Sequence, residues 1–550
     1  MTHPDWKQYE NYRNNYLRNT NPSQTLIGAI MKTNLNPIAQ LFAPTDADLA
    51  YVPKLPLKIA LILKMDSYKF GHPFAYRPGI EAMTCYGTAR VGPEQDIVYA
   101  GKQQLLQSTF QEALTVDDVN MAQTFAIAHF GRPLFSYEDW MHVVTEHNGF
   151  PPLVIRSLDE GSVVPGGTAL YNVSCFDPKV NWMAAGFETV TLRGSWYPTT
   201  IATDDYEIRK DIIEYYRLTN ADISMLPFAL HDFGGRGVTC GEQAQIGGAA
   251  HLINFMGSDT VEGVLAANHY YEDDMAAFSV YATEHSIECS FGLDEEGERA
   301  YVIHQIKTAQ RMGMPVASIV IDGKDTIRCT KVFCEPEIVA LIKSGTTKIV
   351  LRPDSGDMMI IVPQILELLA AAYGTTLTSC GKYNMLNNVG VIQGDGVDHA
   401  AIRMLLGKLM VMGWAASVVI FGSGGALLQK VNRDKYKFAQ KASAILVRVF
   451  DRSDDNLIYN GLAHEYGDKT VTQWVGIAKD PITDPGKKSL EGVITAIRNL
   501  LTGEYANHDL LQPIPIGWKD AMKLRWDTGV FYNKTTLAQV RNRVNETLSM

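Results

Sequence analysis

The sequence predicts an α/β-barrel accompanied by a second domain built from the two terminal parts of the chain. Three observations predict it. Between residues 315 and 430 one unit recurs four times, a short β-branched apolar run, a Gly/Asp-rich end and a helix-length stretch, with starts about 30 residues apart, the length of a βα unit. Each run is apolar without alternation, as strands buried on both faces are. Each releases its polar residues only at its C-terminal end, where an α/β-barrel carries its chemistry.

The four runs are Val316-Ala-Ser-Ile-Val-Ile-Asp322, Lys348-Ile-Val-Leu-Arg-Pro-Asp354, Val389-Gly-Val-Ile-Gln-Gly-Asp395 and Ser417-Val-Val-Ile-Phe-Gly-Ser-Gly-Gly425. After the third, Ile402, Leu405, Leu406, Leu409 and Met410 fall on one face of a helix. Upstream, Leu57-Lys-Ile-Ala-Leu-Ile-Leu-Lys64 reads as a first strand leading into Asp66-Ser-Tyr-Lys69. Strands and helices then mix to about residue 190, and beyond 450 polar turns such as Asp451-Arg-Ser-Asp-Asp-Asn456 separate short strands from a last helix. The expected division is an extension over residues 1–50, partly disordered and rich in Asn, Thr and Pro, a barrel over 191–449, and a second domain from 51–190 with 450–550.

Size and charge bound the function. With 550 residues, 46% hydrophobic, the chain can bury a large core. A net charge of −11 and no long basic run argue against a nucleic-acid partner, so cationic sites must be local. The N-terminus lacks the basic-then-apolar order of a signal peptide, and no apolar run reaches the roughly 18 residues that span a bilayer, which predicts a soluble cytoplasmic protein with no membrane partner. Seven scattered cysteines do not form a disulfide framework, and Cys329 and Cys334 read as buried thiols on a helix.

The strand ends supply the chemistry. Phe421-Gly-Ser-Gly-Gly-Ala-Leu-Leu-Gln-Lys430 is either a phosphate cradle of free backbone N–H groups or a tight strand-to-helix turn; it is neither a Walker A loop nor a dinucleotide fingerprint. Arg352 and Asp354 offer a phosphate fork and a ribose or metal oxygen, or else an ion pair capping a strand. Asp395 stands between Gly394 and Gly396, fit for a turn or a close ligand approach. In His231-Asp-Phe-Gly-Gly-Arg-Gly237, Phe233 can stack on a planar ring or anchor the core, while Arg236 can grip phosphate. Asp259 ends another strand, and His285, flanked by Glu284 and Ser286, is a candidate acid/base or phosphoryl acceptor. With no His/Cys metal cluster, the cation expected is Mg²⁺, held by oxygens and mainly by substrate phosphates.

His231-Asp-Phe-Gly-x-Arg-Gly, Gly257-Ser-Asp-Thr-Val261, Ala282-Thr-Glu-His-Ser286, Leu351-Arg-Pro-Asp-Ser-Gly356, Val391-Ile-Gln-Gly-Asp-Gly-Val-Asp398 and the Phe421 motif, in this order and spacing, resemble the nicotinamide phosphoribosyltransferase family of the nicotinate/nicotinamide phosphoribosyltransferase superfamily. Asp66-Ser-Tyr-Lys69 and Ser195-Trp-Tyr-Pro-Thr-Thr-Ile-Ala-Thr203 match as well. The resemblance covers roughly residues 57 to 545 and implies a type II phosphoribosyltransferase-like barrel with a second α+β domain. It implies transfer of phosphoribosyl from phosphoribosyl pyrophosphate to nicotinamide, in NAD salvage, with ATP as co-substrate and Mg²⁺ as cofactor. A homodimer with shared active sites is also implied. Phe233 and the partner's Tyr68 would sandwich the pyridine, and Asp259 would accept from the carboxamide. Arg236, Arg352 and the Gly394, Gly424 and Gly425 backbone would hold phosphate and ribose, with Asp354 and Ser318 nearby. The partner would add Arg90, Arg433 and Lys441. His285 would be the phosphorylated histidine, oriented by Asp322. The chain departs from the family pattern at Ala439, where a Ser is usual, at Gly235, in place of an aromatic, and at Gly323-Lys324, in place of a Ser-Tyr pair. The competing readings are a nicotinate phosphoribosyltransferase, against which Asp259 argues by charge, and a catalytically silent sugar-phosphate-binding protein.

Overall fold

Residues 57–450 and 470–548 are described in a computed structural model. The extension over 1–50 and the polar turn from Asp451 lie outside the described residues.

All four recurring runs are strands, Val316–Val320, Lys348–Arg352, Val389–Gln393 and Val419–Ser423. They are neighbours in one parallel sheet that continues on one side to Leu230–Asp232 and Gly257–Ser258, and on the other to Tyr281–Ala282. The two edges meet through a single stretch of chain: Phe278 bridges Gly257, and three residues on Tyr281 pairs with Ala317. The sheet thus curls on itself as the predicted barrel. The interiors of its longer strands are mostly apolar, and Ile319, Leu351, Val391 and Phe421 are all buried.

Helices cover the sheet and start where the chain leaves a strand end. Asp325 caps Thr326–Phe333, Asp357 caps Met358–Tyr373 and Asp398 caps His399–Val411, each accepting backbone N–H groups of the first turn. Part of the aspartate excess at the strand ends is therefore helix capping. Ile402, Leu405, Leu406 and Leu409 are buried as their spacing predicts, whereas Met404, off that face, is exposed.

A second, antiparallel sheet runs in the order Thr470–Gly476, Phe438–Phe450, Ile80–Ala89, Ala169–Cys175, Leu153–Ser157, Lys523–Asp527, Val530–Phe531. Segments from both ends of the chain interleave in it, through Ile80–Ala89 against Phe438–Phe450 and Leu153–Ser157 against Lys523–Asp527. One expectation fails: the run from Leu57 to Lys64 is not a strand. It forms a 3₁₀ turn, Leu61–Leu63, closed by Leu63 N–H to Ala60 O (2.9 Å), that buries Leu61 and Ile62 in the core of this sheet. An unbroken apolar run serves any fully buried segment, and this one finds no strand to pair with.

The seven cysteines are free thiols, with Cys329 buried on its helix and Cys334 half-buried just after it. No helix among the described residues is long and apolar enough to cross a membrane.

Candidate active site

A cavity of about 660 Å³ opens at the C-terminal ends of the parallel strands. Phe233, Arg236, Asp259, Ser318, Arg352, Asp354, Gly394, Asp395, Gly424 and Gly425, drawn from six different strand ends, all line it.

Part of the cavity wall is built around an aromatic ring and a carboxylate. Phe233 follows Leu230–Asp232 and leans on the His231 ring, centroids 4.9 Å apart at 46°. A Cβ on Gly422 would fall 2.1 Å from the Phe233 ring, so the neighbouring strand must be bare there for the ring to lie over it. Asp259 Oδ1 accepts from His231 Nε2 at 3.0 Å and also from Ser279 Oγ. Because a carboxylate cannot donate, the proton is on the histidine. Burial pulls the Asp259 carboxyl upward, but these two donors and the nearby Arg352 outweigh it and leave the group below the ordinary carboxylate range. The strand beneath is fixed by His251, which bonds the buried Asp205 at 2.7 Å and reaches the Gly257 carbonyl at 3.1 Å.

Arginine side chains and glycine backbone make up much of the remaining lining, beside the carboxylates of Asp354 and Asp395. Arg352 Nη2 donates to the Thr283 carbonyl at 2.7 Å and Nη1 lies 3.4 Å from Asp354 Oδ2, while its Nε is buried with no partner. Ser318 Oγ is likewise buried and unpartnered at the cavity wall. Unsatisfied donors that line a cavity are groups a ligand can satisfy. A Cβ on Gly394 would meet Asp354 Oδ1 at 2.7 Å, so the Gly-Asp-Gly end lets that carboxylate close in. Lys430 adds a further cation to the lining. Among the described residues, the one group of three His, Cys or carboxylate ligand atoms within 4.8 Å of one another is His142, His147 and Asp177, outside this cavity. Within it, Asp354 and Asp395 offer the oxygens suited to a hard cation.

His285 and Asp322 stand beside the cavity rather than in its wall, next to the lining residue Glu284. His285 Nε2 and Asp322 Oδ1 are 3.0 Å apart, the imidazole nearly half exposed and the carboxylate 4% exposed. Tyr68, Arg90, Arg433 and Lys441 are not at the cavity. Tyr68 is 60% exposed on the 3₁₀ helix Ser67–Gly71. The other three gather at one end of the strand pair Ile80–Ala89 and Phe438–Phe450: Arg90 Nε donates to the Lys437 carbonyl at 3.2 Å, Arg433 O accepts from Phe438 N–H at 3.2 Å, and Lys441 pairs in register with Tyr86. Sequence reading missed Ser279, which no motif marks and which reaches Asp259 only because the barrel closes at Phe278. It also missed the clasp of His231 on Asp259, although His231 opens a quoted motif.

Residues 228–450 match the model of the nicotinate phosphoribosyltransferase family, and residues 60–155 match that of the nicotinamide phosphoribosyltransferase N-terminal domain. A nicotinamide phosphoribosyltransferase from Xanthomonas campestris pv. campestris is 37% identical over 489 residues, 88% of this chain and 97% of the relative. The chain belongs to the nicotinamide phosphoribosyltransferase family. A second relative of that name, from Acinetobacter baylyi, is 27% identical over 79% of this chain and 88% of its own. The fold is also that of human nicotinic acid phosphoribosyltransferase (TM-score 0.54, 14% identity, 88% of this chain and 93% of that one). The same holds for a nicotinate-nucleotide pyrophosphorylase from Pyrococcus furiosus (TM-score 0.52, 12% identity, 91% and 98%). The cavity residues all fall inside the first family match and Tyr68 and Arg90 inside the second, so family membership spans both groups of side chains.

Proposed function

We propose that this enzyme transfers the phosphoribosyl group of phosphoribosyl pyrophosphate to the pyridine nitrogen of nicotinamide, giving nicotinamide mononucleotide and pyrophosphate for NAD salvage. The observation that carries the reading is the pairing of Phe233 with an ionised Asp259 in a cavity that also holds Arg352, Arg236 and Lys430. A flat neutral amide is complementary to the ring and the carboxylate, and a phosphorylated sugar to the cations.

Phe233 stacks on the pyridine, and Asp259, its Oδ1 held by His231 and Ser279, accepts the carboxamide N–H with its remaining lone pairs. The ring nitrogen is thereby aimed at the anomeric carbon. As the N–C bond forms, the C–O bond to pyrophosphate breaks and its electron pair leaves with the pyrophosphate. Positive charge gathers on the ribose and negative charge on the leaving group. Asp354 faces the first, while Arg352, Arg236 and the Gly424-Gly425 turn face the second. Asp354 and Asp395 would hold Mg²⁺ jointly with the substrate phosphates, and the ion would supply further neutralisation of the departing pyrophosphate. A nicotinate carboxylate in the same place would oppose the Asp259 charge, which favours the amide over the acid.

Coupling to ATP rests on His285. With one ring nitrogen on Asp322, the other is available to take the γ-phosphoryl group as the P–O bond to ADP breaks. Tyr68, Arg90, Arg433 and Lys441 act on the active site of a partner subunit, Tyr68 completing the stack on the pyridine and the three cations meeting phosphate. The exposure of Tyr68 and the clustering of the other three away from their own cavity support this assignment. Incubation with phosphoribosyl pyrophosphate, Mg²⁺ and equal nicotinamide and nicotinate, with products read by mass, tests the reading: nicotinamide mononucleotide should dominate, and His285→Ala should abolish stimulation by ATP. Dominant nicotinate mononucleotide, or no nucleotide, would refute it.

A further inference from the structure

His285 and Asp322 are joined a second time, through a residue that neither the reaction nor the resemblance uses. Glu288 lies one turn beyond His285 on the helix His285–Ser290, and its side chain is completely buried. Its Oε2 accepts the backbone N–H of Gly323 at 2.9 Å, and Gly323 directly follows Asp322. The connections close a ring: His285 to Asp322 by side chains, Asp322 to Gly323 by the peptide, Gly323 to Glu288 by the hydrogen bond, and Glu288 back to His285 along one helical turn. The ring depends on glycine. A Cβ at position 323 would fall 2.6 Å from the Glu288 carboxyl carbon and 2.7 Å from Oε2. The glycine and the buried glutamate therefore form one device.

We propose that Glu288, acting through the backbone of Gly323, is a positioning residue that holds Asp322 on the His285 ring and so keeps the other ring nitrogen presented for phosphoryl transfer. This rests on the reading of His285 as phosphoryl acceptor. A buried carboxyl with one oxygen bonded and the other, Oε1, without a partner is costly to retain for packing. Around it stand His285 and Asp322, Glu298 of the helix Glu295–Arg311 held by Arg328 at 2.6 Å, and Tyr301 and Cys329. Burial pushes the Glu288 carboxyl up to about 7, with the Gly323 N–H opposing and Asp322 adding to the rise. Near neutrality, then, Glu288 passes from a neutral acceptor to a second negative charge beside Asp322, and phosphorylation of His285 should fall as pH rises through that range.

The full-length enzyme is incubated with ATP labelled in the γ-phosphoryl group, acid-labile label on His285 is counted, and ATP-free turnover is measured alongside, for wild type, Glu288→Ala, Glu288→Gln and Gly323→Ala. Wild type should label best below neutral pH. Glu288→Ala should lose about ten-fold or more of the label while ATP-free turnover stays within about two-fold. Gly323→Ala, which leaves Glu288 in place but forces its carboxyl away, should reproduce that loss. Glu288→Gln, whose amide oxygen still accepts the Gly323 N–H, should recover most of the label and lose the decline above neutrality. Wild-type labelling in Glu288→Ala, or failure of Glu288→Gln to recover, would overturn the proposal. Absence of label on the wild-type enzyme would instead refute the reading of His285 itself, and this proposal with it.

Discussion

His231 Nε2 lies 3.0 Å from Asp259 Oδ1, and Ser279 Oγ donates to the same oxygen. Two donors on one oxygen keep the carboxyl ionised against the pull of burial and leave Oδ2 to the substrate. With its folded pKa depressed, the group's contribution to stability and to base choice is present above the ordinary carboxylate range and is lost only as pH falls through the folded value. Preference for nicotinamide over nicotinate should therefore be flat from about pH 8 to about pH 5 in the wild type. In His231→Phe the stripped carboxyl should rise, and the preference should fall on the acidic side. Parallel profiles for the two proteins would show that His231 does not set the charge.

The bare face of Gly422 under Phe233 predicts a steric effect on one substrate only. In Gly422→Ala the added Cβ, 2.1 Å from the ring, displaces Phe233. KM for nicotinamide should rise about ten-fold or more while KM for phosphoribosyl pyrophosphate changes little, at an overpacking cost of about 1–3 kcal/mol read from thermal unfolding. Equal changes in both KM values would place Phe233 away from the base.

Division of the site between subunits predicts complementation. Tyr68→Ala and Arg352→Ala chains should each be nearly inactive alone, because every site then carries one lesion. In a mixed dimer one site collects both lesions and the other none, so co-expression in equal amounts should restore about one quarter of wild-type activity. No recovery, with mixed dimers confirmed by differential tags, would mean that the sites are not shared.

Lys102 is 1% exposed, with Nζ bonded to Ser195 Oγ at 2.7 Å and 3.7 Å from the centre of the Tyr171 ring. Burial pushes its pKa down to about 7, Glu160 opposing. Between that value and the ordinary lysine value of about 10.4 the unfolded chain binds more protons than the folded one, so stability rises with pH across this window. Below about pH 7 both states are protonated and the cost of the buried charge is present in full. Lys102→Met should stabilise by about 1–4 kcal/mol at pH 6 and by progressively less toward pH 10, measured by denaturant unfolding. Ser195 keeps its bond to the Thr191 carbonyl at 2.6 Å. A destabilised variant at pH 6 would show that the ammonium contacts outweigh its desolvation.

Legibility in the sequence followed element length and locality. The four five-residue strands from Val316 to Ser423 were readable because an unbroken β-branched run followed by a helix pattern has one common solution. Leu230–Asp232, Gly257–Ser258 and Tyr281–Ala282, only two or three residues long, carry no period, and only the motifs attached to them marked their ends. The Leu57–Lys64 run misled because buried turns and buried strands look alike in composition. At the cavity, the residues set on strand ends by the chain itself were legible: Phe233, Asp259, Arg352, Asp354 and Asp395. Ser279 and Glu288 were not, since each works through a contact that exists only once the barrel has closed or the Asp322 loop has folded back on the helix.

The claim that Asp259 chooses the base is tested most directly by kcat/KM for nicotinamide and nicotinate in the wild type and in Asp259→Asn, at neutral pH with saturating phosphoribosyl pyrophosphate. The asparagine keeps the size of the side chain and removes its charge. The ratio should shift toward nicotinate by about ten-fold or more, a difference of about 1.4 kcal/mol or above. An unchanged ratio would contradict the account and remove Asp259 from recognition of the carboxamide.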